Sequence, residues 1–315
     1  MKIILAALLC WAMAANAFPT KPVKIIVAFP PGGGTDIVAR LLAAQLTEAW
    51  QQAVVVENRA GASGVIGTEI AARSEPDGHT LFMATMGNMT ANQHLYPKMT
   101  VDPLKAFAPI TKVVDVHFVF MANPALPADG VPELIALAKS RPGQIAYSSS
   151  GPGGAPHLAM ELFKRQAGVD LTHVPYKGSA PGMNDLLGGR VMLTMDSLLQ
   201  GLPHIKAGKL RALAVLGPKR SALLPQVPTM AEAGVAAYSL TNWFGLLAPT
   251  GTPPEVLAKI HADVVKILVQ TGFRKKIEDM GADVVGNSPQ EFGAWMRAES
   301  AQWAEIIKSA HIKPE

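Results

Sequence analysis

Short runs of β-branched and apolar residues alternate with amphipathic stretches along most of this chain. The segment 23–29 is such a run, and the segment 35–50 that follows it carries apolar residues at helical spacing, at positions 37, 41, 42 and 46. The same alternation resumes after residue 124. Strands that alternate with helices build largely parallel sheets. The sequence therefore predicts the α/β class with a largely parallel sheet.

The remaining predicted elements follow the same order of strand and helix. A chain of 315 residues, 49% of them apolar, is long enough for about two domains with a core each, and too apolar to be disordered. Further strands are predicted at 54–56, 80–84, 117–121, 145–147, 172–174, 191–194, 210–215 and 243–248. Further helices are predicted near 67–73, 132–140, 156–167, 182–188, 253–270 and 289–309.

The N-terminus has the three parts of a secretory signal peptide. Lys2 precedes an apolar stretch of about twelve residues, and Ala15-Asn16-Ala17 forms a small-residue cleavage site. The stretch is shorter than the roughly 20 residues that span a membrane, although an uncleaved N-terminal anchor is the alternative. We expect residues 1–17 to be removed, so that an exported protein begins at Phe18. The single cysteine, Cys10, would leave with them, and a disulfide-free exported protein fits the bacterial periplasm.

Charge and motif composition exclude several classes of function. The 28 basic and 24 acidic residues are scattered, so no nucleic-acid partner is expected. The glycine-rich loops lack a P-loop lysine and the dinucleotide-binding pattern, and the chain has no nucleophile-elbow or zinc-protease motif. Its eight histidines are dispersed, so we expect no metal site and no cofactor.

Two glycine-rich loops, at 29–36 and 148–157, each join a predicted strand to a predicted helix. Glycines let a ligand approach the backbone, and the helix that follows offers unpaired N–H groups and the positive end of its dipole. The second loop adds three serine hydroxyls, and neither loop contains Lys or Arg. The loops therefore predict an anion site built from amides and hydroxyls, with ligand-free tight turns as the alternative. Thr35 or Asp36 is expected to cap the first helix.

A few polar residues have side chains suited to catalysis. His157 could act as a base for Ser149, which leaves an exported serine/histidine hydrolase of small esters as an alternative function. A ligand contact or an ordering hydrogen bond is the simpler role for His157. Asp36 and Asp185 suit capping or solvated positions, whereas Asp196 ends an apolar strand and can line a cleft.

Several motifs in fixed order resemble the Bug (TctC-like) family of periplasmic solute-binding receptors, the extracytoplasmic component of tripartite tricarboxylate transporters. The resemblance spans nearly the whole predicted mature chain. It rests on FPTKPV at 18–23, PPGGGTD at 30–36, VENRAGASG at 56–64, PDGHTL at 76–81, YSSSG at 147–151, His157-Leu158, VPYKG at 174–178 and GKLRALAV at 208–215.

The resemblance implies a type II periplasmic-binding-protein fold, with two α/β domains joined by two crossing strands near 118–123 and 237–244. Residues 18–122 and 238–315 would form domain 1 and residues 123–237 domain 2. A small carboxylate would bind in the cleft between them. The implied ligand-binding residues are Phe29, Gly32, Gly34, Thr35, Asp36, Thr85, Asn88, Ser148, Ser149, Gly153, Ala155, His157, Tyr176 and Asp196, with Lys177 as a further cleft residue or part of a solvated turn.

The sequence departs from its relatives at two places in this implied site. Ala155-Pro156 stands where many relatives have a Thr, and Met86, Asn88 and Met89 replace small hydroxylic residues. We therefore predict a ligand with a more apolar body.

The expected function is non-catalytic capture of a small carboxylate for uptake or sensing in the periplasm. The expected partner is a tripartite transporter membrane component or a sensor kinase, and the protein is expected to be a monomer. A structural or sensory domain with a vestigial cleft is a third possibility.

Overall fold

The structure, a computed structural model, describes residues 18–235, 240–310 and 312. The predicted signal peptide and its cleavage site lie outside the described residues. The strands are β1 (Val23–Val27), β2 (Val54–Asn58), β3 (Thr80–Thr85), β4 (Phe107–Val116), β5 (Phe118–Ala122), β6 (Ala146–Ser149), β7 (Thr172–Pro175), β8 (Leu193–Ser197), β9 (Arg211–Val215), β10 (Asn242–Pro249) and β11 (Ala282–Val284).

Helices alternate with these strands, as the sequence predicted. They are α1 (Gly34–Trp50), α2 (Val65–Ala72), α3 (Asn92–Leu95), α4 (Pro103–Ala106), α5 (Val131–Ser140), α6 (Ala155–Ala167), α7 (Ser179–Leu187), α8 (Leu198–Lys206), α9 (Pro254–Leu268), α10 (Thr271–Glu278) and α11 (Pro289–Ala310). A 3-10 turn (Ala62–Gly64) and a π-turn (Gly87–Ala91) precede α2 and α3. Within the described ranges, none of the helices combines the length and the apolar character needed to cross a membrane.

The strands form two sheets, which confirms the predicted α/β class. One sheet has six strands in the order β11-β4-β10-β3-β1-β2, and the other has five in the order β7-β6-β8-β5-β9. The chain builds most of the six-stranded sheet, then the whole five-stranded sheet, and then returns to add β10 and β11 to the first. Each sheet and the helices around it are called a lobe below.

The expectation of largely parallel sheets is wrong, because both sheets are mixed. In the first lobe β1 pairs in parallel with β2 and β3, but β10 runs antiparallel to β3 and β4. In the second lobe β5 runs antiparallel to β8 and β9. Strands β5 and β10 are the first strands after the chain changes lobes. They enter their sheets from the side of the other lobe. They therefore run opposite to the neighbouring strands, each of which follows a helix.

The chain leaves the first lobe at His117, between β4 and β5. Residues 118–122, which the sequence assigned to the end of the first segment of domain 1, pair with β8 and β9 in the second sheet. The second predicted crossing, near 237–244, falls partly on residues outside the described ranges.

Strand β4 is a central element that the sequence pattern did not predict. Pro109, Lys112 and Asp115 interrupt its apolar residues, so no continuous or alternating run marks it. It is nevertheless mostly buried, because β10 and β11 pair with its two edges. Neighbouring strands decide its conformation, since β propensity depends strongly on context.

The C-terminal helix α11 packs closely on β10 at a glycine. A Cβ atom at Gly245 would lie 2.2 Å from the ring of Phe292 and 3.2 Å from the ring of Trp243. Phe292 and Trp243 are themselves buried and meet edge to face, with ring centroids 5.1 Å apart. Gly245 therefore lets α11 cover the strand by which the chain returns to the first lobe.

We expect Gly245→Ala to lower the free energy of unfolding by about 1–3 kcal/mol, because the added methyl group overpacks this contact. Gly272→Ala is the matched control, since nothing lies within 4 Å of a Cβ there. The control should leave stability unchanged or slightly raised. Urea unfolding of the two variants measures both effects, and equal stabilities would contradict the packing argument.

Glu299 on α11 joins β10 to the π-turn. Its Oε2 accepts hydrogen bonds from Trp243 Nε1 at 2.8 Å and from Thr90 Oγ1 at 2.9 Å. Burial raises the pKa of Glu299 to about 7, and the hydrogen bonds from Trp243 and Thr90 and the charge of Lys112 only partly oppose this. The folded protein therefore holds a proton on Glu299 at pH values where the unfolded chain has lost it.

We expect Glu299→Gln to gain stability relative to the parent as the pH rises from about 4.5 to about 7. The unfolded carboxyl ionises first across this window, so the parent loses up to about 3 kcal/mol that glutamine does not lose. Denaturant unfolding at pH 5 and pH 8 measures the difference, with Glu48→Gln on the exposed face of α1 as the control for removing one carboxyl. A pH-independent difference between variant and parent would contradict the burial of an acid here.

Candidate functional site

A cavity lies between the two lobes, and both lobes line it equally. Its free volume is about 40 Å³. The first lobe contributes Phe29, Gly33, Gly34, Thr35, Thr85, Asn242 and Phe244, and the second contributes Phe118, Ser150, Ala155, Pro156, Ser179, Asp196 and Ser197. Because ligands of α/β proteins bind where strands end in loops, this interlobe cavity is the candidate site.

The N-termini of four helices meet at this cavity. Helix α1 starts there from its N-cap Gly33, and α6 presents Ala155 and Pro156. Helix α7 begins with Ser179, and α8 follows the N-cap Ser197. Each N-terminus carries unpaired N–H groups and a partial charge of about +0.5. The four together make an electropositive cavity that favours an anion.

Among the described residues, none of the four N-cap residues caps its helix with its own side chain. The expectation that Thr35 or Asp36 caps α1 is therefore wrong, because Gly33 holds the N-cap position and has no side chain to offer. At α8 two N–H groups are already used, since Ser197 N donates to Asp196 Oδ1 and Leu198 N donates to the His117 carbonyl oxygen. The starts of α1, α6 and α7 keep N–H groups for another partner. Pro156 is an exception within α6, because proline has no N–H.

Polar side chains around the cavity are neutral or acidic. Among the described residues that line it, none is Lys or Arg. The buried Ser197 Oγ and Asn242 Oδ1 have no hydrogen-bond partner within the described ranges. A Cβ at Gly34 would lie 2.8 Å from Ser197 Oγ, which places this hydroxyl directly over the first glycine-rich loop. Such unpaired buried groups are uncommon and indicate a missing partner in the cavity.

Asp196 is the acidic residue of the cavity wall. It is only 5% exposed, and its Oδ1 accepts a 2.7 Å hydrogen bond from the Ser197 N–H. Burial raises the pKa of Asp196 to about 6, while hydrogen bonds from the Ser179 hydroxyl and the Ser197 N–H act in the opposite direction. At neutral pH the carboxyl is mostly ionised and can only accept hydrogen bonds.

Asp36 lies beneath the first glycine-rich loop and does not line the cavity. Its Oδ2 accepts from Gly32 N at 3.0 Å and from Arg40 Nε at 2.9 Å, and its Oδ1 accepts from Asn58 Nδ2 at 2.9 Å. Burial alone would raise the pKa of Asp36, but these hydrogen bonds lower it below its ordinary value. Asp36 thus fixes the conformation of the loop through these hydrogen bonds. Gly32, which was also predicted as a ligand contact, donates one of them.

Three stacked rings support the second glycine-rich loop. The ring of His173 stacks on Tyr147 and on His157, with centroids 4.8 and 4.5 Å apart. Ser149 Oγ lies 2.6 Å from His173 Nε2, and His157 Nδ1 accepts a hydrogen bond from Gly153 N at 3.1 Å. Burial, aided by the charge His173 would carry, lowers the pKa of His157 to about 4, so the ring is neutral at pH 7.

This arrangement bears on the hydrolase alternative. The hydroxyl of Ser149 meets His173 rather than His157, and neither Ser149 nor His157 lines the cavity. Ser149 and His157 therefore shape the loop that presents Ser150 and Ala155. Ser148 and Gly153, two further predicted contacts, belong to the same supporting layer.

Asn88 and Tyr176 also lie outside the cavity lining. Asn88 Oδ1 accepts from both the N–H and the hydroxyl of Thr85, at 2.9 and 2.8 Å, and so fixes the wall residue Thr85. The Tyr176 hydroxyl donates to Asp185 at 2.6 Å, and burial and Asp185 raise the pKa of Tyr176 to about 12. Lys177 is exposed, as expected of a solvated turn.

Met86 and Met89 are completely buried in the core and do not line the cavity. The predicted shift toward a ligand with a more apolar body therefore gains no support from these side chains. The apolar part of the lining consists of Phe29, Phe118 and Phe244 together with Ala155 and Pro156, the other departure on which that prediction rested.

Six of the predicted ligand residues line the cavity: Phe29, Gly34, Thr35, Thr85, Ala155 and Asp196. Gly33, Ser150 and Pro156 also line the cavity and lie in the two predicted loops, although they were not among the predicted ligand contacts. The lining residues Phe118, Ser179, Ser197, Asn242 and Phe244 were not predicted. Ser179 and Ser197 had a usable signal, since each stands where a strand or turn leads into a helix. Asn242 and Phe244 had none, because only the return of the chain brings β10 to the cavity.

Contacts between the lobes surround the cavity. The Tyr96 hydroxyl donates to the Pro152 carbonyl oxygen at 2.6 Å. A Cβ at Gly178 would lie 2.4 Å from Pro30 Cδ, and one at Gly87 would lie 3.3 Å from the Gly153 carbonyl oxygen. The two lobes thus touch on several sides of the site. Among the described residues, no group of three or more His, Cys, Asp and Glu side chains could hold a metal ion.

Known proteins resemble this chain in both sequence and structure. The family model described as "Tripartite tricarboxylate transporter family receptor" (TctC) matches residues 38–312. Protein BugT of Bordetella pertussis is 37% identical over 302 residues, which cover 96% of this chain and 93% of BugT.

Two solved structures of relatives carry a ligand. The Rhodopseudomonas palustris protein Rpa4515 with adipate is 40% identical, has a TM-score of 0.92, and is matched over 95% of this chain and 100% of its own. MatC from the same species, with bound malate, is 30% identical, has a TM-score of 0.88, and is matched over 92% and 100%. These matches confirm the two-lobed periplasmic-binding-protein fold that the resemblance implied. The chain belongs to the TctC, or Bug, family of tripartite tricarboxylate transporter receptors.

Proposed function

We propose that this protein captures a small carboxylate in the interlobe cavity and delivers it for uptake or sensing, without chemical conversion. The single observation that carries the proposal is the meeting of four helix N-termini at a cavity whose described lining has no Lys or Arg. Such a site binds an anion through amides and hydroxyls. Relatives of the same family hold adipate and malate, which are both carboxylates.

The ligand-binding groups we propose come from both lobes. Gly34 and Thr35 would offer backbone N–H groups, with the Thr35 hydroxyl beside them, and Ser150, Ser179 and Ser197 would offer hydroxyls from the opposite lobe. A carboxylate bridging the two sets would hold the lobes together. This favours a hinge-closing receptor, in which ligand selects the closed arrangement.

A hydrolase is the weaker candidate for this cavity. The Ser149 hydroxyl is directed at His173 beneath the loop, so no serine–histidine pair faces the space where a substrate would bind. Recovery of the ligand intact after prolonged incubation with the protein supports the receptor, and accumulation of a product would support the enzyme.

The cellular setting follows from the family and from the N-terminal sequence. We propose that residues 1–17 direct export and are removed, and that the monomeric receptor works in the periplasm. Its partner would be a tripartite transporter membrane component or a sensor kinase. For the domains we propose a boundary at His117, with the second lobe inserted into the first and the return crossing within 216–241.

We expect Gly34→Val to abolish carboxylate binding. The valine side chain would meet Ser197 Oγ and Phe244 and hold the lobes apart at the centre of the site. Calorimetry with adipate and malate measures binding, and a thermal unfolding curve verifies that the variant folds. Gly272→Val is the matched control, because nothing lies within 4 Å of a Cβ there. Unchanged affinity in a folded Gly34→Val variant would place the ligand elsewhere.

We expect Ser197→Ala to weaken carboxylate binding by about 10- to 100-fold, the loss typical of one hydrogen bond to a charged group. The stability of the ligand-free protein should not fall, because the buried Ser197 Oγ has no partner in the described structure to lose. Ser140→Ala, an exposed serine on α5, is the control. Lower stability with unchanged affinity would show that Ser197 serves the fold instead of the ligand.

A further inference from the structure

The interlobe cavity presents acceptors as well as donors. Asp196 lines it together with the helix N-termini. Asn242 lines it as well, and its buried Oδ1 has no hydrogen-bond partner in the part of the chain described. A plain carboxylate has only acceptor atoms when ionised. It would satisfy the N–H groups and hydroxyls of the wall but none of the acceptors.

We propose that Asp196 selects carboxylates that carry a hydrogen-bond donor, a hydroxyl or an ammonium group, on the carbon next to the carboxylate. This inference rests on the proposed function and names the class of ligand for the same site. Relatives hold both adipate, which has no such group, and malate, which has a hydroxyl, so family membership leaves the property open.

The hydrogen bonds of Asp196 leave acceptor capacity for a ligand. A carboxylate has about four lone-pair positions. The described contacts use two of them, one for the Ser197 N–H and one for the Ser179 hydroxyl. Both of these donors belong to the cavity wall, so they orient the Asp196 carboxyl at the site.

Because Asp196 is charged, a ligand without a hydrogen-bond donor binds with a less favourable free energy. No basic side chain pairs with Asp196 in the cavity, because the described lining contains neither Lys nor Arg. The nearby Asp36 is paired with Arg40 beneath the first loop, and His157 on α6 is neutral at pH 7, so neither supplies a positive charge to Asp196. The carboxylate of an ionised ligand would be repelled by the Asp196 carboxylate unless a hydrogen-bond donor of the ligand lies between the two groups.

The position of Asp196 sets where that donor must be. Asp196 accepts from the Ser197 N–H at the start of α8, and it lines the cavity together with the starts of α1, α6 and α7. A carboxylate bound at these helix N-termini therefore lies beside Asp196. The donor has to be attached next to that carboxylate and not at the far end of the ligand.

The test compares acids that differ by one group. Succinate, malate and aspartate share a four-carbon skeleton, with hydrogen, hydroxyl or ammonium next to one carboxylate. We expect the parent protein at pH 7.5 to bind malate or aspartate at least about tenfold more tightly than succinate, because sites with buried polar groups reject ligands that leave them unpaired. The preferred one of the two shows which donor Asp196 recognises.

Asp196→Asn should reduce this preference to less than about threefold, largely through weaker binding of the preferred acid. Asp196→Ser serves the same purpose if the asparagine variant does not fold, and thermal unfolding verifies folding. Asp279→Asn, at an exposed aspartate paired with Lys275, is the matched control and should keep the parent preference.

Three results separate the possible failures. Equal affinity of the parent for the three acids, or an unchanged preference in folded Asp196→Asn, would overturn the role of Asp196 while leaving carboxylate capture intact. Preferred binding of succinate with uptake of one proton would also overturn it, because Asp196 would then act as a neutral donor. Binding of no carboxylate at all would instead overturn the proposed function.

Discussion

The arrangement of this protein depends on the convergence of four helix N-termini on one small cavity. Each helix start has backbone N–H groups that its own hydrogen bonds cannot use. The two lobes direct them at one cavity, whose described lining includes glycines, serines and Asp196 but no Lys or Arg. The helix starts thus supply partial positive charge without a positive side chain. A small carboxylate can satisfy such a site and still dissociate, since no buried ion pair has to be broken.

The course of the chain makes this convergence possible. Strands β5 and β10 each enter a sheet from the other lobe and run against their neighbours there. They lie inside the sheets and not at the edges, since β5 is the fourth strand of its sheet and β10 the third strand of its own. Residues near the hinge-side ends of these strands, Phe118, Asn242 and Phe244, consequently line the cavity. The same two strands thus connect the lobes and contribute to the site, so a change in lobe orientation changes the site directly.

A layer of supporting contacts lies behind the cavity wall. Asp36 gathers Gly32, Arg40 and Asn58 under the first loop, and the rings of Tyr147, His173 and His157 support the second. Of these residues, Gly32, Asp36 and His157 were predicted as ligand contacts, because they belong to the same motifs as the residues that line the cavity. Their polar atoms are instead used within the protein, which makes the loops rigid. A rigid loop keeps the N–H groups in place, so little ordering remains to be done when an anion binds.

The amino-acid sequence by itself determined the α/β class, most strand and helix positions, the family, and the two glycine-rich loops, because hydrophobic period and glycine placement are local properties. It also predicted Gly34, Thr35, Ala155 and Asp196 as part of the site. The tertiary structure alone decided that β4 is a strand, that the sheets are mixed, and that Asp36, Ser149 and His157 face inward. It also brought Ser179, Ser197 and Asn242 to the cavity. The physical reason is that side-chain direction and long-range strand pairing depend on partners distant in sequence, and those partners meet only when both lobes have formed.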